Sequence, residues 1–404
     1  MAGRFHPVTI GSLTLEGNLF LAPVAGFSDR AFRSMCIDEG ANFTFTELIS
    51  AESVIRSRPD LKPMDAPHPV NQLLRRADNE TRYAIQLFGT DPARIAQGAA
   101  FLAPWRPAAL DINSGCPVPK VVRSGAGSAL MRDPANLGRV VEALVRASRE
   151  HLGGVPVTIK MRSGWDSQSI NYRECARIAV EAGAAMVSLH PRTRAQGYGG
   201  TSDWTHIADL AGRLSVPVTG SGDLYCPADA ERMLRETGCA AVMFARGALG
   251  NPFIFPETRE LLLDTASSLP GGDSSGGGDF NGGPGPNSSP GHSPNPDPSG
   301  GPGHSPTERM SAALLHLERL AADIGERRAC RDMRKHFCAY TKGYPGQLGM
   351  PGGAALRNRL VHAETIAEYR EAVRAAGISL SPPAEPEGTE RRPAGSGAKN
   401  LPDK

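Results

Sequence analysis

One cysteine stands where a thiol could do chemistry. In Leu110-Asp111-Ile112-Asn113-Ser114-Gly115-Cys116-Pro117 an apolar run ends in an amide, and Cys116 follows between a glycine and a proline. Glycine permits close approach of another molecule and proline stiffens the chain, so the thiol is held on a fixed turn. No neighbouring histidine or lysine need act as its base. A cysteine near its ordinary pKa of about 8.5 stays protonated at neutral pH, so the residue reads as a general acid.

Other polar residues end short apolar runs in the same way. Lys160 closes Val157-Thr158-Ile159 and Gln86 closes Ala84-Ile85, while Pro23-Val24-Ala25-Gly26 offers backbone groups without bulk. That set suits a flat heteroaromatic ring, because no His/Cys/carboxylate group has metal-ligand spacing and no metal is expected. Further on, Gly220-Ser221-Gly222-Asp223 and Ala245-Arg246-Gly247 combine bare backbone with one arginine, a grip for phosphate. A ring at the centre and a phosphate at the last two turns suggest flavin mononucleotide (FMN).

The elements that must position these residues form one rhythm. Short β-rich runs at 19–22, 43–46, 84–87, 109–112, 157–160, 186–189, 216–219 and 241–244 alternate with helical segments, among them 92–102, 134–150, 172–181 and 228–236. Several runs are apolar throughout, as strands covered on both faces are. Eight such units over about 250 residues predict an α/β fold of the (β/α)8 TIM-barrel type. An open doubly wound sheet is the alternative, but no Gly-x-Gly-x-x-Gly follows the first strand. Pro23, Gln86, Asn113, Lys160, His190, Ser221 and Arg246 all fall at or just past strand ends, the rim where barrel enzymes keep their active sites.

The barrel is expected over residues 1–263. Residues 264–306 are Gly-, Pro- and Ser-rich and read as a disordered insertion. A helical domain over 307–380 follows, with Ser305 or Thr307 as cap and Leu314, Leu317, Leu320 and Ile324 at helical spacing. Helix is also expected over 333–340 and 354–376, and a disordered tail over 381–404. Residues 307–376 carry twelve Lys/Arg against eight Asp/Glu, although the whole chain has a formal charge of only +2. Seven scattered cysteines without a CxxC pair, no leader-like start and no run near the roughly 20 apolar residues of a membrane span predict a cytoplasmic protein.

With these motifs in view, the chain resembles the tRNA-dihydrouridine synthases, most closely their bacterial B-type branch. The likeness rests on the Cys116 motif with Gly127-Ser128, on Leu21-Ala22-Pro23-Val24-Ala25-Gly26 with Ser28-Asp29-Arg30, and on Ile85-Gln86-Leu87. It extends to Ile159-Lys160-Met161-Arg162, His190-Pro191-Arg192-Thr193-Arg194 and Arg334-Lys335-His336. It covers about 13–259 and about 307–369.

The resemblance implies an FMN barrel followed by a tRNA-binding helical domain. FMN would contact Pro23, Val24, Ala25, Gln86, Lys160, His190, Ser221, Gly222, Asp223, Ala245 and Arg246. Asn113 would face flavin and uracil, Cys116 would be the proton donor, and Arg192, Arg334 and Lys335 would meet substrate or tRNA. NADPH, or else NADH, would be the reductant for D-loop uridines, and the protein is expected to act as a monomer. Ser221 stands where an amide is usual in the family and Ala245 where glycine is. A barrel flavoenzyme for small molecules, of the dihydroorotate dehydrogenase kind, and a non-catalytic tRNA-binding protein are the rival readings.

Overall fold

The computed structural model describes residues 4–267, 304–342 and 352–380. Eight strands run in chain order: β1 (Leu19–Leu21), β2 (Thr44–Phe45), β3 (Tyr83–Phe88), β4 (Ala109–Ser114), β5 (Val157–Gly164), β6 (Met186–Thr193), β7 (Val218–Ser221) and β8 (Ala241–Phe244). Neighbours pair in parallel from β2 through β8, and β8 returns to β1. Phe20 bridges Phe43, and the Leu21 N–H donates to the Phe43 carbonyl at 2.9 Å, which closes the ring. The fold is the expected (β/α)8 barrel followed by a helical region.

Period-two alternation sorts each strand. Leu19, Leu21, Ile85, Leu110, Ile159, Val187 and Phe244 pack outward in one core with the surrounding helices. Their neighbours Phe20, Ala84, Ala109, Met186, Ala241 and Met243 join a second cluster, which also holds Val8, Ile10 and Leu15 of an N-terminal hairpin. Further along the same strand faces come Gln86, Asp111, Asn113, Thr158, Lys160, Ser188, His190 and Ser221. The barrel is apolar at the hairpin end and polar at its mouth.

Strands β5 and β6 run well past 160 and 189, where the apolar runs stop. Arg162 and Arg192 lie within them, and Arg162 pairs with His190 across the ladder. Backbone pairing continues although the side chains turn polar, so apolar content understates both strands.

The barrel contributes α1 (Arg30–Asp38) to the contact with the C-terminal region. Among its described residues that region holds four helices: α2 (Pro306–Ile324), α3 (Glu326–Lys342), α4 (Gly353–Leu360) and α5 (Ile366–Ala375). Ser305 caps α2 in a capping box with Glu308. The single helix expected over 354–376 is broken, because the Thr365 hydroxyl accepts the Glu368 N–H at 3.2 Å and starts a new one. Ala31 and Met35 of α1 share a core with Met310, Leu317, Met333 and Phe337, so the helical domain is built partly on the barrel. Arg30 and Arg75 both reach Asp323, at 3.1 and 3.0 Å, and Arg319 reaches Asp38 at 2.6 Å. Most of the expected insertion and the whole expected tail lie outside the described residues; at the edge of the former, a barrel helix runs over Ile254–Ser267.

Candidate active site

The mouth holds a cavity of about 270 Å³. Of the residues singled out above, Pro23, Val24, Ala25, Asn113, Cys116, Lys160, His190, Ser221, Gly222, Asp223, Ala245 and Arg246 all line it.

A buried relay fixes the thiol's turn. Asp111 accepts from Thr158 Oγ1 at 2.5 Å and from Gln86 Nε2 at 2.7 Å. An ionised carboxylate can only accept, so Gln86 must turn its Oε1 the other way, toward Asn113 Nδ2 at 2.8 Å. Asn113 then has its Oδ1 free to accept the backbone N–H of Cys116 at 2.9 Å and of Gly115 at 3.2 Å. The second hydrogen on Asn113 Nδ2 is not needed by this chain of bonds and belongs to a residue of the cavity wall. Burial pushes Asp111 up to about 6. Gln86, expected against the cofactor, lies one layer below, fully buried.

The far side of the turn is clamped as well. The Cys116 carbonyl accepts Ser128 N–H and Oγ–H, both at 3.1 Å. Gly127, with φ +61°, leaves room for this: a Cβ there would stand 2.6 Å from the Cys116 oxygen. Burial raises the Cys116 thiol, against weaker opposing effects of the Val118 N–H, Arg162 and Lys160. The thiol therefore keeps its proton at neutral pH.

Positive charge surrounds it. Burial and then Arg162 bring Lys160 down to about 8, still largely charged at pH 7. The Arg162 Nε donates to the Gly115 carbonyl at 2.8 Å and so also braces the cysteine turn. Reading the sequence alone assigns Arg162 no role. Its signal is the two-residue offset from Lys160, which puts both on one strand face. Tyr198 and Tyr225, also without an expected role, flank Arg246 with ring centroids 4.9 and 5.2 Å from its guanidinium carbon.

His190 is neutral: burial, followed by Arg162 and Lys160, holds it well below the usual histidine range. Arg192 Nη1, a donor only, lies 3.3 Å from His190 Nε2, which leaves the ring proton on Nδ1.

Arg192, expected to meet substrate, turns inward in the structure. It is 2 % exposed, and its donors go to the carbonyls of Gly199 and Gly200, Ser202 Oγ, His190 and Asp223. All five N–H groups are spent, so it is a brace. Asp223, with φ +56°, is held between Arg192 at 2.7 Å and Arg246 at 3.1 Å. Ser221 spends its hydroxyl hydrogen on the Met243 carbonyl at 3.0 Å. From the helical domain, Lys335 reaches over the Phe27 ring at 5.4 Å beside the mouth, whereas Arg334 sits half-buried against Tyr369.

Cys116, a bare glycine-rich loop and a neutral histidine thus share one basic cavity, and the whole chain can be set beside known proteins. A family model described as dihydrouridine synthase matches residues 20–269. A probable tRNA-dihydrouridine synthase of Treponema pallidum is 42% identical over 375 residues, covering 92% of this chain and 96% of that one. The tRNA-dihydrouridine synthase B of Xanthomonas campestris is 34% identical, covering 83% and 87%. Among solved structures, 6-hydroxypseudooxynicotine amine oxidase of Pseudomonas geniculata has a TM-score of 0.50 at 14% identity, covering 64% of this chain and 49% of its own, a likeness of fold alone. No helix among the described residues is long and apolar enough to cross a membrane.

Proposed function

The chain belongs to the dihydrouridine synthase family of oxidoreductases, and from that premise we propose that it reduces the C5–C6 double bond of D-loop uridines in tRNA, with FMN as cofactor, NADPH as reductant and Cys116 as proton donor. The cavity fits the cofactor. Gly222, at φ +109°, must be bare, since a Cβ would come 2.5 Å from Ser202 Oγ and 2.8 Å from His190 Cδ2. Its backbone, with that of Asp223, Ala245 and Arg246, suits a phosphate, and the Arg246 guanidinium supplies charge. Pro23, Val24 and Ala25 offer an edge for a ring, opposite Lys160 and His190. Three cations (Lys160, Arg162 and Arg246) against the single carboxylate Asp223 favour an anionic guest.

The hydride for uracil C6 would come from FMN held there. The chain's own residues do the rest. Uracil must be flipped out of the RNA stack to enter the mouth. Charge then develops on its carbonyls, so preorganised donors matter, and the uncommitted Asn113 Nδ2–H is one. Cys116 delivers a proton to C5. Its raised thiol keeps that proton until it is needed, and Lys160 and Arg162 stabilise the thiolate left behind. Lys335 is exposed beside the mouth and can meet RNA phosphate.

The observation that carries this reading is the Cys116 turn, braced from both sides, in the same cavity as Asn113 and Lys160. It is tested by following NADPH oxidation by FMN-loaded protein with unmodified tRNA, free uridine or a small enone. Faster turnover with tRNA is expected. Equal rates would favour a small-molecule oxidoreductase, and RNA binding without any oxidation would favour a non-catalytic protein.

A further inference from the structure

Where the helical domain meets the barrel, Asp29 faces two histidines from different helices. His316 of α2 and His336 of α3 are both fully buried. Their Nε2 atoms lie 3.7 Å from Asp29 Oδ1 and 3.4 Å from Asp29 Oδ2, and the three ligand atoms all fall within 4.8 Å of one another. Neither separation is a good hydrogen bond, and all four ring nitrogens of the pair lack a partner. Leaving buried polar atoms unpaired costs about 1–3 kcal/mol each. An ion held by the two Nε2 atoms would satisfy two of the four.

We propose that Asp29, His316 and His336 form a structural site for a divalent transition metal ion, Zn²⁺ in the first instance, which pins the helical domain to the barrel. Zinc takes nitrogen at about 2.0–2.1 Å and carboxylate oxygen at about 2.0–2.2 Å. Ligands at those lengths around a tetrahedral centre stand roughly 3.3–3.5 Å apart, so an ion would draw the trio in from separations that now reach up to 4.8 Å. The imidazoles lie among aromatic rings, the Phe32 ring stacking on His316 at 5.5 Å and Phe27 meeting His336 edge-on at 5.2 Å, while Asp29 borders an open pocket from which water can complete the coordination. Asp29 is oriented independently of any ion, because its Oδ1 accepts the Phe32 N–H at 2.9 Å and caps α1.

No spacing in the sequence announces the trio, since its members come from three separate elements. Its place matters for the cavity. Phe27 lines the cavity and packs on His336. Residues 23–29 thus link the mouth to the metal, which would hold the helical domain at a fixed angle to it. The site stands independently of the proposed reaction.

The test uses full-length protein without a histidine tag, incubated with Zn²⁺, dialysed and analysed for metal and for thermal midpoint. Wild type is expected to retain an equimolar amount of zinc and to melt at a higher temperature with it. Asp29→Asn, which keeps a capping side chain, and His336→Gln should both lose the zinc and the shift. Should the variants fail to fold, zinc-edge absorption of the wild type decides: two imidazoles with oxygen support the site, and sulfur ligation overturns it. No zinc retained by wild type, or equal retention by the folded variants, would also overturn it.

Discussion

The substitution Asn113→Asp is nearly isosteric, yet it should break the relay that sets the Cys116 turn. In the wild type the order of donors runs one way, from Thr158 and Gln86 into Asp111 and from Asn113 into Gln86. A carboxylate at position 113 would place a second acceptor against Gln86 Oε1, where 2.8 Å now separates donor from acceptor. Gln86 cannot turn round, because its Nε2 is committed to the Asp111 carboxylate. Losing one buried hydrogen bond and facing two acceptors costs about 1–3 kcal/mol. Adding Asp111→Asn releases the constraint. The new amide at position 111 can donate to Gln86 Oε1, and Gln86 can then donate to the new carboxylate at position 113. That carboxylate still accepts from the Cys116 N–H. The double variant should therefore recover most of the lost stability, a coupling of about 1–3 kcal/mol, measured by urea unfolding of all four proteins at one pH near 7.5. Additive losses would show that the amide directions are not coupled and would refute the relay.

Three other perturbations probe separate parts. Asp111 is raised to about 6 in the fold against about 3.9 unfolded, a gap worth roughly 3 kcal/mol at most. A raised acid binds more protons folded than unfolded, so its penalty is absent below about pH 4 and complete above about pH 6; urea series should show wild-type stability falling across that window and a flatter profile in Asp111→Asn. In Gly127→Ala the left-handed φ costs about 1–2 kcal/mol, and the 2.6 Å approach to the Cys116 oxygen displaces the turn; the variant should bind FMN by fluorescence quenching yet lose turnover. In Gly250→Ala a Cβ would collide with the Tyr340 backbone nitrogen, so limited proteolysis should cleave between barrel and helical domain sooner than in wild type.

The barrel is legible because strands covered on both faces are apolar runs, and each of the eight expected positions holds a strand. The rim is legible for a related reason: a polar residue ending an apolar strand is conspicuous. That signal also misleads. It stops β5 at Lys160 and β6 at Leu189, which leaves Arg162 without a role, and Arg192 becomes a substrate contact only through the family resemblance. Whether an arginine reaches outward or braces a loop depends on where its five donors go, and the carbonyls of Gly199 and Gly200 come from a turn that no periodicity places. Gln86 and Asp111 are visible as residues but not as a relay, since that needs the register between β3, β4 and β5. Asp29, His316 and His336 escape for the same reason on a larger scale: only docking of the helical domain brings them together.

The most direct check is the dihydrouridine formed in unmodified tRNA by FMN-loaded Cys116→Ala beside wild type, at equal flavin content. The variant is expected to stay yellow, bind tRNA and be reduced by NADPH, while its yield of dihydrouridine collapses. Undiminished product from that variant, or a wild type that takes up no flavin, would contradict the account.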